Sequence, residues 1–289
     1  MQYIFFALIT GSTLALAAVG FALVRQTEGF LNIAHGQFML LGAFVAHTLA
    51  TTYGLNLGLA IAITVPLIGL IGLATAWIVF FPLRDKGLLA QFFSSVGVAF
   101  IVYGIVSALW SGRAIKVFPM TADFSVAMPG FSATAIELGI VIGAWLAVLS
   151  LHLFLAHTRV GTSIRAISGN AELARARGIN VRLAVGSVWF VGTALAGLSG
   201  ILIGLIGGVS IELGWHYILI ILAVAVLGGL RTLYGVLIGG LLVGAVIELS
   251  TLVVPSKYGV LIAFGLIVVT LLLKPEGIVS VSKRKEASA

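Results

Sequence analysis

A polytopic bundle of membrane-spanning α-helices is the fold class this sequence predicts, on three observations. Hydrophobic residues fill 61% of the 289 positions and charged residues only 9%, a balance outside that of water-soluble domains. The apolar runs continue for about 20 residues, the length at which a helix crosses a ~30 Å hydrocarbon core, without the alternation of a membrane barrel. Lysine and arginine collect in the breaks between those runs.

Taken in order, apolar runs lie at 3–24, 38–52, 58–81, 91–110, 135–155, 183–206, 215–230, 235–254 and 258–273. That gives eight or nine spans of one transmembrane domain, according to whether the run at 38–52 crosses fully. The first begins just after Met1 with no basic leader, which predicts a retained span with the N-terminus facing outward. Alternation then places Arg25, Arg84 and Lys86, the loop 157–182, Arg231 and a short basic tail at 274–289 on the inner side. Thirteen of the 16 lysines and arginines fall there, leaving Arg113, Lys116 and Lys257 outside, as the positive-inside rule requires. The formal charge of +7 therefore points to anionic lipid rather than nucleic acid. The outer connection 111–134, with Pro119, Asp123, Pro129 and Gly130, is either an ordinary loop or a contact for an external partner.

Glycines recur at helix-packing spacing: Gly200, Gly204 and Gly208, then Gly235 with Gly239 and Gly240 with Gly244. Such rows let helix backbones approach closely. No cysteine is present, which excludes disulfides, thiolate metal sites and cysteine nucleophiles. A phosphate-binding loop, H-E-x-x-H and G-x-S-x-G are all missing, and the five histidines lack metal-ligand spacing. The chain is thus not expected to be an enzyme or its own ATPase, and no metal or cofactor is expected on it.

Three places could carry function. In FLNIAHGQFMLLGA, Asn32, His35, Gly36 and Gln37 interrupt the apolar pattern just before the second run. That composition suits a helix starting inside the protein, with free N–H groups facing a transport pathway, or equally a capped loop whose histidine bonds a neighbouring backbone group. Glu248, inside the eighth run, lines a pathway or serves an interior structural bond, since a carboxylate there costs roughly 3 kcal/mol on insertion scales. Glu28, beside Arg25, is expected in a loop ion pair. Finally, 159–182 holds five arginines against one glutamate. Thr162 is expected to cap a short helix through Ser168, and Asn170 a second from Ala171 to Arg177 that Gly178 ends, with Glu172 in its first turn. Paired caps exceed what a plain basic loop needs, so a docking role is expected.

At NIAHGQFMLLGA the chain resembles the permease subunits of high-affinity branched-chain amino-acid ABC importers. The likeness continues through RVGTSIRAISGNAELARARGINVRLAV, AVLGGLRTLYGVLIGGLLVGAVIE and LLLKPEGI, in the family's order. Gln37, where the family more often has glutamate, and Arg231, where a glycine is common, depart from it. The resemblance implies a type II importer-like bundle that works with a second related permease, two cytoplasmic ATPases that hydrolyse ATP, and an external substrate-binding protein in a bacterial or archaeal inner membrane. It also implies that Glu172, Leu173, Ala174 and Gly178, followed by Ile179 and Asn180, form the ATPase-coupling element, with leucine where the family's loop has alanine. Asn32, His35, Gly36, Gln37 and Glu248 are the expected pathway residues. Branched-chain or other hydrophobic amino acids are the implied substrates. Urea or short amides, and an ion-coupled secondary transporter using Glu248 and His35, are the alternatives.

Overall fold

The computed structural model describes residues 1–110, 115–119, 125–128, 131–229, 232–274 and 277–278. Arg113, Asp123, Pro129, Gly130, Arg231 and nearly all of the basic tail lie outside the described residues. Helix α1 (Gln2–Glu28) runs past its apolar stretch and takes in Arg25 and Gln26, which the sequence reading assigned to a loop. Arginine and glutamine are good helix formers, so the helix continues until Gly29 closes it at φ +86°. After it come α2 (Ala34–Thr51) and α3 (Leu57–Thr75), which passes into a π-helical turn (Ala76–Phe80), then α4 (Leu88–Leu109).

A hairpin of β1 (Ser125–Met128) and β2 (Phe131–Thr134) follows, pairing Ser125 with Thr134. Thr134 then opens α5 (Ala135–His157) with a capping box to Glu137. Two short helices, α6 (Arg159–Gly169) and α7 (Ala171–Ala176), lead into α8 (Val181–Gly207), α9 (Leu213–Gly228), α10 (Leu233–Ser250) and α11 (Gly259–Leu273). Among the described residues a helix falls on each of the nine expected runs, and six of these helices are long and apolar enough to cross a membrane; α2, α9 and α11 are not among the six.

Burial sorts these helices into an interior and a lipid-facing layer. The most apolar windows of α1 and α8 are 72% buried, against 17% for α5, so the first two are core and the last faces lipid. Helix α2 is buried along most of its length, wrapped by α8, α3, α4 and α9. Glycines set two close seams. Between α1 and α10 a side chain on Gly240 would land on the backbone of Ala15, and one on Gly244 on Gly11. Between α2 and α8 a Cβ on Gly42 would lie 2.5 Å from Gly197 Cα, and one on Gly200 would collide with Met39 O. Gly208, expected on the same face, is instead the C-cap of α8.

The two ends of the bundle differ in charge. At one end Gln2 exchanges two hydrogen bonds with the backbone of Ser132 (3.0 and 2.9 Å), and Lys116 pairs with Val209 just past α8. At the other end lie Arg84, Arg175 and Arg182, which share a cleft with Asp85 beside the start of α8. These three arginines, all expected on one side, lie together at this end.

Candidate substrate pathway and coupling loop

After Gly29 the chain folds back along α1 rather than leaving the bundle. His35 Nε2 lies 3.0 Å from Ala17 O, and Ala17 is about three helical turns, ~16 Å, before the end of α1. Helix α2 therefore starts within the protein. Its first turn is held locally: Asn32 Oδ1 accepts from Ala34 N at 3.1 Å, and Ile33 N donates to Ser95 Oγ at 3.1 Å. A carbonyl partner requires that His35 carry its proton on Nε2, which leaves Nδ1 as an acceptor.

Asn32, His35 and Gln37 are completely or almost completely buried. Among the described residues Asn32 Nδ2, His35 Nδ1 and both amide atoms of Gln37 have no hydrogen-bond partner, nor does Thr64 Oγ1 on neighbouring α3. Each such group costs ~1–3 kcal/mol where nothing satisfies it, so four on one short stretch of chain is an unusual concentration. The side chains point to different neighbours. His35 faces α1, while Gln37 faces Gly214 at the start of α9, and Gly36 lets the α2 backbone meet Gly214 O. Glu248 stands apart from them. It accepts a 2.5 Å hydrogen bond from Thr10 Oγ1, about two turns along α1 from Ala17, which places it in the α1–α10 seam.

The loop 157–182 contains the two short helices expected, with one different cap. Thr158, not Thr162, caps α6: its Oγ1 accepts from Gly161 N at 2.9 Å, and α6 extends through Gly169. The turn is that tight because Gly161 packs on the backbone of Leu155, where a side chain would collide. Asn170 caps α7 as expected, accepting from Leu173 N at 2.9 Å. The helix stops at Ala176, one residue early, and Gly178 at φ +79° turns the chain while Ile179 N donates to Ala174 O. Asn180 caps α8. Ala174 is turned inward, whereas Glu172 and Leu173 are exposed, Leu173 by 55%.

Sequence reading missed a buried cluster beside this loop. Glu28 is not paired with Arg25. Its carboxylate lies 3.4 Å from Arg84 Nε and accepts from Trp189 Nε1 at 2.9 Å, and the Trp189 ring stacks on Phe80 at 4.5 Å. Its partners come from the α3–α4 connection and from α8. The one available sign was Glu28 itself, a charge at the end of a long apolar run.

The family model for the branched-chain amino acid transport system permease component matches residues 3–271. The chain belongs to this permease family. Among its relatives, the Escherichia coli K12 high-affinity branched-chain amino acid transport system permease protein LivH is 28% identical, over 96% of this chain and 94% of LivH. The Pseudomonas aeruginosa permease protein BraD, named for the same transport system, is 29% identical, over 96% and 95%. The permease family also reaches the E. coli ribose import permease protein RbsC, 28% identical over 90% of this chain and 81% of RbsC. No solved structure matches this permease.

Proposed function

We propose that the chain is the transmembrane subunit of an ABC importer for branched-chain or other hydrophobic amino acids, working by alternating access driven by separate ATPase subunits. The observation that carries this reading is the end-to-end family match, 3–271 of 289 residues, with LivH and BraD among the relatives. Partners in this reading are a second related permease, two ATPases docking on Glu172, Leu173, Ala174, Gly178, Ile179 and Asn180, and an external binding protein. The exposed face of α7 supports the docking part. The pathway part is supported by the start of α2, where Asn32, His35 and Gln37 hold polar atoms that only a passing ligand or water would satisfy, and where Gly36 keeps the backbone accessible to α9. Glu248 joins that pathway only if the seam with Thr10 opens.

RbsC, a sugar permease at the same identity, makes the ligand class the point to test. Competition uptake in vesicles holding the assembled complex is expected to rank leucine, isoleucine and valine above urea, short amides and ribose. It should stop when ATP hydrolysis is blocked and persist with a protonophore. Uptake by the chain alone, abolished by the protonophore, would replace this reading with an ion-coupled carrier.

A further inference from the structure

A groove of about 300 Å³ opens between α1, α5 and α10 at the basic end, on the lipid-facing side of the bundle. It takes no part in the pathway or the coupling loop described above. Its depth is apolar, walled by Val19, Val148, Leu151 and Leu237, and its lip is polar. Gln26 and Val19 mark the two levels on α1, about 10 Å apart along the helix. Around the groove, Leu149 and Leu153 of α5 and Ile238 and Leu242 of α10 are exposed, as lipid-facing side chains are.

Among the described residues the polar lip presents donors that no carboxylate meets, two of them without any partner. Gln26 Nε2 and Thr232 Oγ1 are buried and unbonded. Arg165 is exposed on α6, its guanidinium anchored to Leu155 O and, at 3.3 Å, to Thr162 Oγ1, and it meets no carboxylate among the described residues. Tyr234 Oη and His152 Nδ1 are hydrogen-bonded at 2.6 Å across the mouth, where an amphipathic pair sits well at a membrane interface. Among the described residues no aspartate or glutamate lines the groove.

We propose that this groove holds one anionic phospholipid of the leaflet at the basic end. The phosphate lies against Arg165, Thr232 and Gln26, and an acyl chain runs along Val148, Leu151 and Leu237. Arg165 with two neutral donors satisfies a phosphodiester, and basic pockets between spanning helices are the usual holders of such headgroups. With no acidic side chain to meet an ammonium group, the lip favours a phosphatidylglycerol-type lipid over phosphatidylcholine.

Native mass spectrometry of the full chain in detergent tests this with equimolar phosphatidylglycerol and phosphatidylcholine. The parent is expected to retain one phosphatidylglycerol. Arg165→Gln should lower retention about fivefold, the effect of one basic side chain near an anionic surface, while Arg159→Gln, exposed on the same helix but outside the groove, leaves it unchanged. Leu237→Trp, which fills the depth, should also reduce retention, and Arg165→Gln keeps the test decisive if that variant does not fold. Equal retention in Arg165→Gln, or equal loss in Arg159→Gln, overturns the proposal. So does displacement of the lipid by inorganic phosphate, which would mark a free-anion site, or disulfide-linked dimers of Tyr234→Cys in membranes, which would mean that a second copy covers the groove.

Discussion

The carboxylate of Glu28 is buried against two donors from distant parts of the chain, a guanidinium and an indole, so its partners matter unequally. Removing Arg84 leaves the charge buried with only Trp189, whereas neutralising Glu28 leaves an amide that still accepts from Trp189 Nε1. Arg84→Ala is therefore expected to destabilise the protein by about 3 kcal/mol, the cost of breaking a buried pair, and Glu28→Gln by only ~1 kcal/mol. Thermal unfolding in detergent, followed by tryptophan fluorescence, reads the order; a larger loss in Glu28→Gln would mean that the pair contributes little. This cluster also shows where sequence reading stops. Glu28 and Trp189 are 161 residues apart, and nothing in the local pattern around either names the other. Arg25, three residues away on the same helix, was the wrong partner: the carboxylate is taken by Arg84 and Trp189, which tertiary packing brings to it.

At the scale of the element, α7 has six residues, too few to be stable without help. Its cap and its terminating glycine carry most of that help. Asn170→Ala removes one hydrogen bond worth ~1 kcal/mol and should raise amide exchange across Ala171–Ala176 while the bundle melts as before. Gly178→Val meets no neighbour that its Cβ would strike, so its effect is confined to the backbone at positive φ. Both variants should lose ATPase association and transport together; full transport in both would remove α7 from the coupling machinery. The Asn170 cap was legible in the sequence because the accepting side chain and the donating N–H of Leu173 are three residues apart. Thr158 and Thr162 could not be told apart that way. What selects Thr158 is Gly161 lying on Leu155, a packing fact with no local signature.

For the whole molecule, the separation of basic residues from the hairpin end predicts orientation. The apolar helices and their order could be read from run length, because hydrocarbon thickness imposes a length on a spanning helix. Their layering could not, since α1 and α5 are equally apolar yet one is core and the other faces lipid. The chain has no native cysteine, so single cysteines can be placed freely. A cysteine at Glu172 should react with an impermeant thiol reagent only from the cytoplasmic side, and one at Lys116 only from the outside. Labelling of both from one side would mean that α5, which lies between the two positions, does not cross the membrane.

Helix α2 also has a consequence for how the protein is made. It is not among the six helices long and apolar enough to cross a membrane unaided, and its walls include α8, which begins only at Val181. At ~5–20 residues per second of synthesis, α2 waits on the order of ten seconds for that wall to emerge. Until then Met39 and Gly42, which α8 covers through Gly200 and Gly197, face whatever the insertion machinery provides. Chains that stall before Val181 are thus the ones a membrane protease should recognise first.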